Sequence, residues 1–142
     1  MKYVRDVLNK KGPHVASVSA GQSVLSAAQL MNDRRIGSVV VTKGDSVVGI
    51  FTERDILTRI VAEKRDPVTT EVGDVMTSPC AVCSPEDELD QCQAIMTEKR
   101  IRHIPVVSEG RLVGIISSGD VMASDRIELE STIRYLNDYI FG

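Results

Sequence analysis

The feature that most constrains this chain is that it says one thing twice. Val48-Gly49-Ile50-Phe51-Thr52-Glu53-Arg54-Asp55-Ile56 returns as Val113-Gly114-Ile115-Ile116-Ser117-Ser118-Gly119-Asp120-Val121, a shift of 65 residues that carries Asp55 onto Asp120. The same shift carries Ser19 onto Ser84, Met31 onto Met96, Arg35-Ile36 onto Arg100-Ile101 and Val41 onto Val106. Upstream, Val4-Arg5-Asp6-Val7 resembles Val72-Gly73-Asp74-Val75 at a shift of 68, so the first copy is three residues longer in the loop from Lys10 to Ala16. A repeat on this scale sets the architecture before any single residue does.

Each copy reads as the same run of elements. A short turn opens it (Val4–Leu8, Val72–Met76), and a brief apolar segment follows (Val15–Val18, Ala81–Cys83). Helices are predicted over Ser23–Arg34, with Val24, Ala27, Ala28 and Met31 on one face, and over Glu88–Arg100, with Leu89, Cys92, Ile95 and Met96. Ser84-Pro85-Glu86-Asp87 has the composition of a helix start. Two β-branched segments then flank a polar, glycine-bearing turn: Ser38–Thr42 with Ser46–Phe51, and His103–Val107 with Leu112–Ile116. A second helix closes each copy, Glu53–Glu63 in the first and from about Ser118 in the second.

The expected fold is therefore α/β (α+β): two β-α-β-β-α repeats, residues 1–67 and 68–142, related by pseudo-twofold symmetry. One copy of about 60 residues buries little apolar area, so the two sheets should pack together with helices outside. Asp66-Pro67-Val68-Thr69-Thr70 reads as the linker. The last helix is extended, and Met122, Leu129, Ile133, Leu136 and Ile140 follow three- and four-residue steps. That stripe suits packing on the chain's own body, and it also suits a subunit seam. Tyr135, Tyr139 and Phe141 add anchor-type side chains.

Composition narrows the function. Apolar residues make up 42% of the 142, with no Trp and two Phe, so the core must be aliphatic. A net charge of −3 argues against general nucleic-acid binding. No apolar run of about 18 residues is present, nor an N-terminal apolar core, so a cytoplasmic location is expected. Cys80, Cys83 and Cys92 are an odd number, unlike a secreted disulfide framework. Cys80-Ala81-Val82-Cys83 has redox or half-metal-site spacing, but no second such pair follows, and Cys83 aligns with Val18 as a core position. His14 and His103 are too few to complete a zinc set. No metal site and no catalytic residue are nominated.

Thr52-x-x-Asp55 and Ser117-x-x-Asp120 admit two readings. Each fits a capping box, in which the hydroxyl caps the helix and the acid reaches back. Each also places a carboxylate at the end of a strand, where it can accept hydrogen bonds from a ribose 2′,3′-diol, beside helix N–H groups that attract phosphate. Basic residues recur just before the hairpins: Arg34-Arg35-Ile36-Gly37-Ser38 and Lys99-Arg100-Ile101-Arg102-His103. Arg34 and Lys99 suit helix C-termini. Arg102 and His103 stand where they could meet phosphate. In the first copy Gly37 replaces Arg102, and Arg54 is the candidate cation; its counterpart is Gly119.

The repeated order, the Gly-Ile-Phe-Thr-x-x-Asp and Gly-Ile-Ile-Ser-x-x-Asp ends, and Arg-His-Ile-Pro-Val-Val together resemble the cystathionine-β-synthase (CBS) domain. Two in tandem resemble a stand-alone CBS pair, or Bateman module. The resemblance implies non-catalytic regulatory binding of an adenosyl ligand: AMP, ADP, ATP, S-adenosylmethionine or an NAD-type dinucleotide. By it, Asp55 and Asp120 hold ribose hydroxyls with Thr52 and Ser117. Gly37, Ser38 and Val39, and His103, Ile104 and Pro105, line adenine pockets. Arg54, Arg102 and His103 face phosphates between the copies. It also implies a homodimer and an unknown regulated protein. The competing classes are a small redox or nucleotide-hydrolysing enzyme and a structural interaction protein with vestigial sites. No Walker-type loop or acidic metal cluster supports hydrolysis.

Overall fold

The computed structural model describes residues 2–12 and 14–141; the side chain of Phe141, an anchor in the sequence reading, lies outside the described residues. The first repeat comprises β1 (Ser17–Ser19), α2 (Val24–Arg34), β2 (Ser38–Lys43), β3 (Ser46–Thr52) and α3 (Glu53–Asp55), and α3 runs on as a π-helix over Ile56–Val61. The second comprises α5 (Leu89–Lys99), β4 (His103–Ser108), β5 (Arg111–Ser117) and α6 (Ser118–Phe141). Short helices α1 (Val4–Lys11) and α4 (Val72–Val75) precede them.

β1 pairs parallel to β2, and β2 pairs antiparallel to β3. β4 and β5 form the matching hairpin, and the register slips at Val106/Val107 where β2 slips at Val41/Thr42. The expected first strand of the second copy shrinks to one parallel bridge, Cys83 to Val106. Val39, Val40 and Val41 are all fully buried. A strand covered on both faces needs an apolar run rather than alternation, and the neighbouring β3 lies against β4 and β5.

The opening helices change places. Val4 and Val7 of α1 belong to the second core, with Leu89, Cys92, Met96, Ile104, Val106, Ile116 and Val121. Val72 and Val75 of α4 belong to the first, with Val18, Val24, Ala27, Met31, Val39, Val41, Phe51 and Ile60. Backbone hydrogen bonds explain the exchange, because helix N-termini leave N–H groups unsatisfied. Val4 and Arg5 donate to the carbonyls of Asp87 and Pro85, and Leu89 donates to Lys2. In the other half Val72 and Gly73 donate to Gln22 and Ala20, while Val24 and Leu25 donate to Thr70 and Pro67. Each opening helix thus shares its free donors with the long helix of the other copy. The linker Asp66–Thr70 is built into this exchange.

Two expectations need correcting. Ser84–Asp87 does not start a helix: α5 begins at Leu89, with Glu88 and Gln91 forming the capping box, and the earlier turn receives α1 instead. Nor does α6 pack along the body. The second core ends near Val121 and Ser124, and every described side chain from Glu128 to Ile140 is exposed. At 1.5 Å per residue, α6 is about 36 Å long, and its last half extends past the sheets it would have to cover.

The repeated Val-Gly-Ile has a steric cause. A Cβ on Gly49 would lie 2.7 Å from the Met76 sulfur and the Thr77 carbonyl, and one on Gly114 would run into a Leu8 methyl. Both glycines stand where an exchanged segment crosses a strand.

Candidate functional site

Both polar signatures are capping boxes. The Thr52 N–H donates to Asp55 Oδ2 at 3.0 Å and the Asp55 N–H to Thr52 Oγ1 at 3.2 Å. The Ser117 N–H donates to Asp120 Oδ2 at 2.9 Å and the Asp120 N–H to Ser117 Oγ at 3.1 Å. The strand start that precedes each hairpin meets the same helix: Glu53 N–H donates to the Gly37 carbonyl, and Ser118 N–H to that of Arg102.

Beyond the boxes the two carboxylates differ. Asp55 is 5% exposed. The Thr77 hydroxyl lies 3.2 Å from Oδ1 and 3.3 Å from Oδ2, and Arg59 Nε lies 3.6 Å from Oδ1. Arg59 is itself held by the carbonyls of Val75 and Met76. Thr77 is fixed by backbone pairing with Ile50, and the neighbouring Ser78 hydroxyl donates to the Val48 carbonyl. Asp120 meets a lysine instead. Lys11 Nζ lies 2.8 Å from Asp120 Oδ2 and 3.0 Å from the Ile115 carbonyl. Burial alone would push the Asp120 carboxyl up; the Lys11 ammonium and the Ser117 donors outweigh it and hold it below the usual carboxylate range.

Beside this second carboxylate lies a cavity of about 440 Å³, a size suited to a small-molecule ligand. It is composite. Arg34, Ile36, Gly37 and Ser38 come from the first copy, and His103, Ile115 and Ser117 from the second, with Lys11 from the end of α1 and His14, Val15 and Ala16 from the segment between α1 and β1. Half-buried His103 titrates below the usual histidine range, mainly through burial and then through Lys11; Asp120 and Glu53 pull the other way and Arg102 adds to the lowering.

Of the residues nominated from sequence, Gly37, Ser38, His103 and Ser117 therefore meet in one cavity, with Asp120 joined to it through Lys11. Val39, Ile104 and Pro105 are buried in the sheets. Arg54 and Arg102 are exposed, and Thr52 and Asp55 belong to the other end of the interface. Sequence reasoning left out Lys11, His14, Val15, Ala16, Ile36 and Ile115, and read Arg34 only as a helix end. A signal for Lys11 and His14 was present: they stand in the stretch where the first copy is three residues longer. A second concavity, about 370 Å³, lies by Thr58, Arg59, Glu63, Arg65, Asp74 and Val75 and holds none of the nominated residues.

Cys83 and Cys92 are buried free thiols of the second core, as the alignment of Cys83 with Val18 leads one to expect. Contact with Cys92 and burial push the Cys83 thiol up. Among the described residues no group of three or more His, Cys, Asp or Glu side chains is placed to hold a metal ion, and no helix is long and apolar enough to cross a membrane.

Comparison with known proteins matches the CBS domain to residues 4–62 and again to residues 72–126, one match per repeat. The chain belongs to the CBS family. This CBS pair is 32% identical to the mitochondrial CBS domain-containing protein CBSX3 of Arabidopsis thaliana, over 98% of this chain and 72% of that one. It is 33% identical to the CBS domain-containing protein YhcV of Bacillus subtilis, over 85% and 84%. Among solved structures, a CBS-domain containing protein from Agrobacterium tumefaciens superposes with a TM-score of 0.80 at 38% identity, over 87% of this chain and 93% of that one. A hexameric CBS-CP12 protein from bloom-forming cyanobacteria superposes with a TM-score of 0.74 at 25% identity, over 97% and 88%. CBS-pair proteins are in general regulatory modules that bind adenosyl ligands, and stand-alone ones are generally non-catalytic.

Proposed function

We propose that this CBS pair is a non-catalytic regulatory module of the cytoplasm that senses an adenosyl ligand, drawn from AMP, ADP, ATP, S-adenosylmethionine and NAD-type dinucleotides, and acts on a partner protein. One observation carries the reading: a cavity built jointly by both copies, with a charged ribose-type carboxylate, Asp120, at its margin. A ligand seated there touches Gly37 and Ser38 of one copy and His103 and Ser117 of the other, so its binding energy depends on how the copies are angled. That differential contact is what lets a ligand shift a conformational equilibrium.

The test is calorimetry with the five candidate ligands on the wild-type chain and on Asp120→Ala. At least one ligand should bind, and Asp120→Ala should weaken it about tenfold or more, the cost of a lost charge-assisted hydrogen bond. No binding by any of them, or unchanged affinity in Asp120→Ala, overturns the reading. Incubation with ATP and magnesium should leave the nucleotide intact.

The module is also read as a homodimer. Leu57 and Val61 on the π-helix and Met122 on α6 are each more than 60% exposed, and Met122 is the repeat counterpart of Leu57. Such a shared apolar face suits a twofold contact. Light scattering should report two chains, and Leu57→Glu should return one.

A further inference from the structure

We propose that the chain holds one adenosine polyphosphate, at the Asp120 end of the interface between its copies, and that the Asp55 end is a closed structural joint. The proposal rests on the nucleotide-binding reading above and deepens it.

The two ends are related by the repeat but are built differently. At the Asp55 end the exchanged segment is zipped onto β3: Thr77 N–H and carbonyl pair with Ile50 at 2.9 and 3.1 Å. That pairing sets the Thr77 hydroxyl on both carboxylate oxygens, and Arg59 covers Oδ1. A carboxylate accepts through about four lone-pair positions. Thr52, Thr77 and Arg59 engage both oxygens of a side chain that is already buried. A ribose diol arriving here must break the strand bridge as well as displace a hydroxyl.

At the Asp120 end the corresponding segment carries the three-residue insertion. Among the described residues no backbone bridge to Ile115 matches the one between Ile50 and Thr77. The Ile115 carbonyl, counterpart of the Ile50 carbonyl, receives a lysine side chain instead. A flexible side chain can move where a paired strand cannot. Asp120 Oδ2 takes the Ser117 N–H and Lys11, which leaves room among a carboxylate's roughly four acceptor positions. The carboxylate is ionised and still has acceptor capacity for a diol.

The lining sets the ligand class. Its titratable side chains are Lys11, His14, Arg34 and His103, all basic types, contributed by α1, the loop after it, α2 and β4. The nearby acids are Asp120, engaged by Lys11, and Glu53, whose carboxyl group lies against Gly37. An ammonium has three N–H donors, and among the described residues Lys11 uses two of them, on Asp120 and Ile115. Basic groups spread over four segments can engage several phosphates at once, and one α-phosphate would leave most of them unmet. A sulfonium ligand would bring a cation to a basic wall.

The experiment is isothermal titration of the full chain with ATP, ADP, AMP, adenosine and S-adenosylmethionine, on wild type, Asp120→Asn, Asp55→Asn, Thr77→Val and Lys11→Met. One ATP per chain is expected, bound about tenfold or more tighter than AMP and tighter than S-adenosylmethionine. Asp120→Asn should weaken ATP about tenfold or more, and Lys11→Met should narrow the ratio of ATP to AMP affinity. Thr77→Val, and Asp55→Asn if it folds, should keep one ATP with affinity within about threefold of wild type. Two ATP per chain, ATP binding lost in Thr77→Val but kept in Asp120→Asn, or AMP or S-adenosylmethionine bound more tightly than ATP overturns the proposal while leaving nucleotide binding in place. Failure of every probe, adenosine included, overturns the underlying reading and the proposal together.

Discussion

Asp55 and Asp120 occupy the same position of the same signature, cap the same kind of helix with the same pair of hydrogen bonds, and have opposite surroundings. One is sealed by a threonine, an arginine and a strand bridge; the other faces a lysine at the edge of a cavity. What separates them is outside the signature, in the segment that each opening helix sends across to the other copy. A conserved local geometry can serve as packing in one half and as a polar edge in the other, because a carboxylate's role follows from what reaches it.

The comparison can be tested from its strongest consequence downward. Phe51 and Ile116 are repeat counterparts, both fully buried, one in each core. Phe51→Ala should cost about 3–5 kcal/mol and Ile116→Ala about 2–5 kcal/mol. If the exchanged helices join the cores into one cooperative unit, urea denaturation of either variant should show a single transition. Two transitions would show that the halves unfold apart.

Next come the carboxylates themselves. Asp55→Ala strips the Thr52 N–H, the Thr77 hydroxyl and Arg59 of a buried acceptor and should destabilise the fold by about 3 kcal/mol. Asp120→Ala removes a cap and a partly exposed ion pair, and should cost about 1 kcal/mol. Chemical denaturation of the two variants side by side measures the gap, and equal costs would break the contrast. Gly49→Ala and Gly114→Ala should each cost about 1–3 kcal/mol by crowding an exchanged segment. The Gly49 variant is expected to be the worse of the two, since its Cβ meets backbone at Thr77 whereas Leu8 is a flexible side chain.

The smallest effects are pH dependences. His103 titrates below its ordinary value, chiefly through burial, with Lys11 and Arg102 lowering it and Asp120 and Glu53 opposing. A polyphosphate beside it would raise that value, so binding takes up a proton and affinity should strengthen as pH falls from about 8 to about 6. His14 faces the same cavity, and the slope that His103→Gln removes is the part due to His103. For the free protein the sign is the reverse: the lowered folded value makes protonation oppose folding, so this contribution is lost as pH falls below about 6.5. Asp120, held below its ordinary value, contributes stability above the unfolded carboxyl range and loses it as pH falls through the folded value. Lys11→Met should flatten that acid limb in pH-dependent thermal melts.

The repeat, the two hairpins, the long helices and the capping-box aspartates were all legible in the chain, because each depends on neighbours a few residues away. Hairpin turns, helix faces and caps are local, and their patterns survive in one dimension. The glycine of Val-Gly-Ile was visible as a motif, yet its cause was not, since Leu8 and Met76 reach it from distant segments. The exposed run of α6 was also beyond the pattern: a stripe at three- and four-residue spacing does not state how far the body beneath it extends.

By itself, then, the sequence determined that two related α/β units would form, each with a long helix, a hairpin and a helix-capping aspartate at the hairpin's end. Only the tertiary structure decided that the opening helices exchange cores, that Gly37 and Ser38 join His103 and Ser117 across the interface, and that Lys11 stands before Asp120. The reason is physical: those contacts come from satisfying helix-terminal N–H groups and buried carboxylates with whatever the opposite copy brings into reach, and reach is a property of the folded chain.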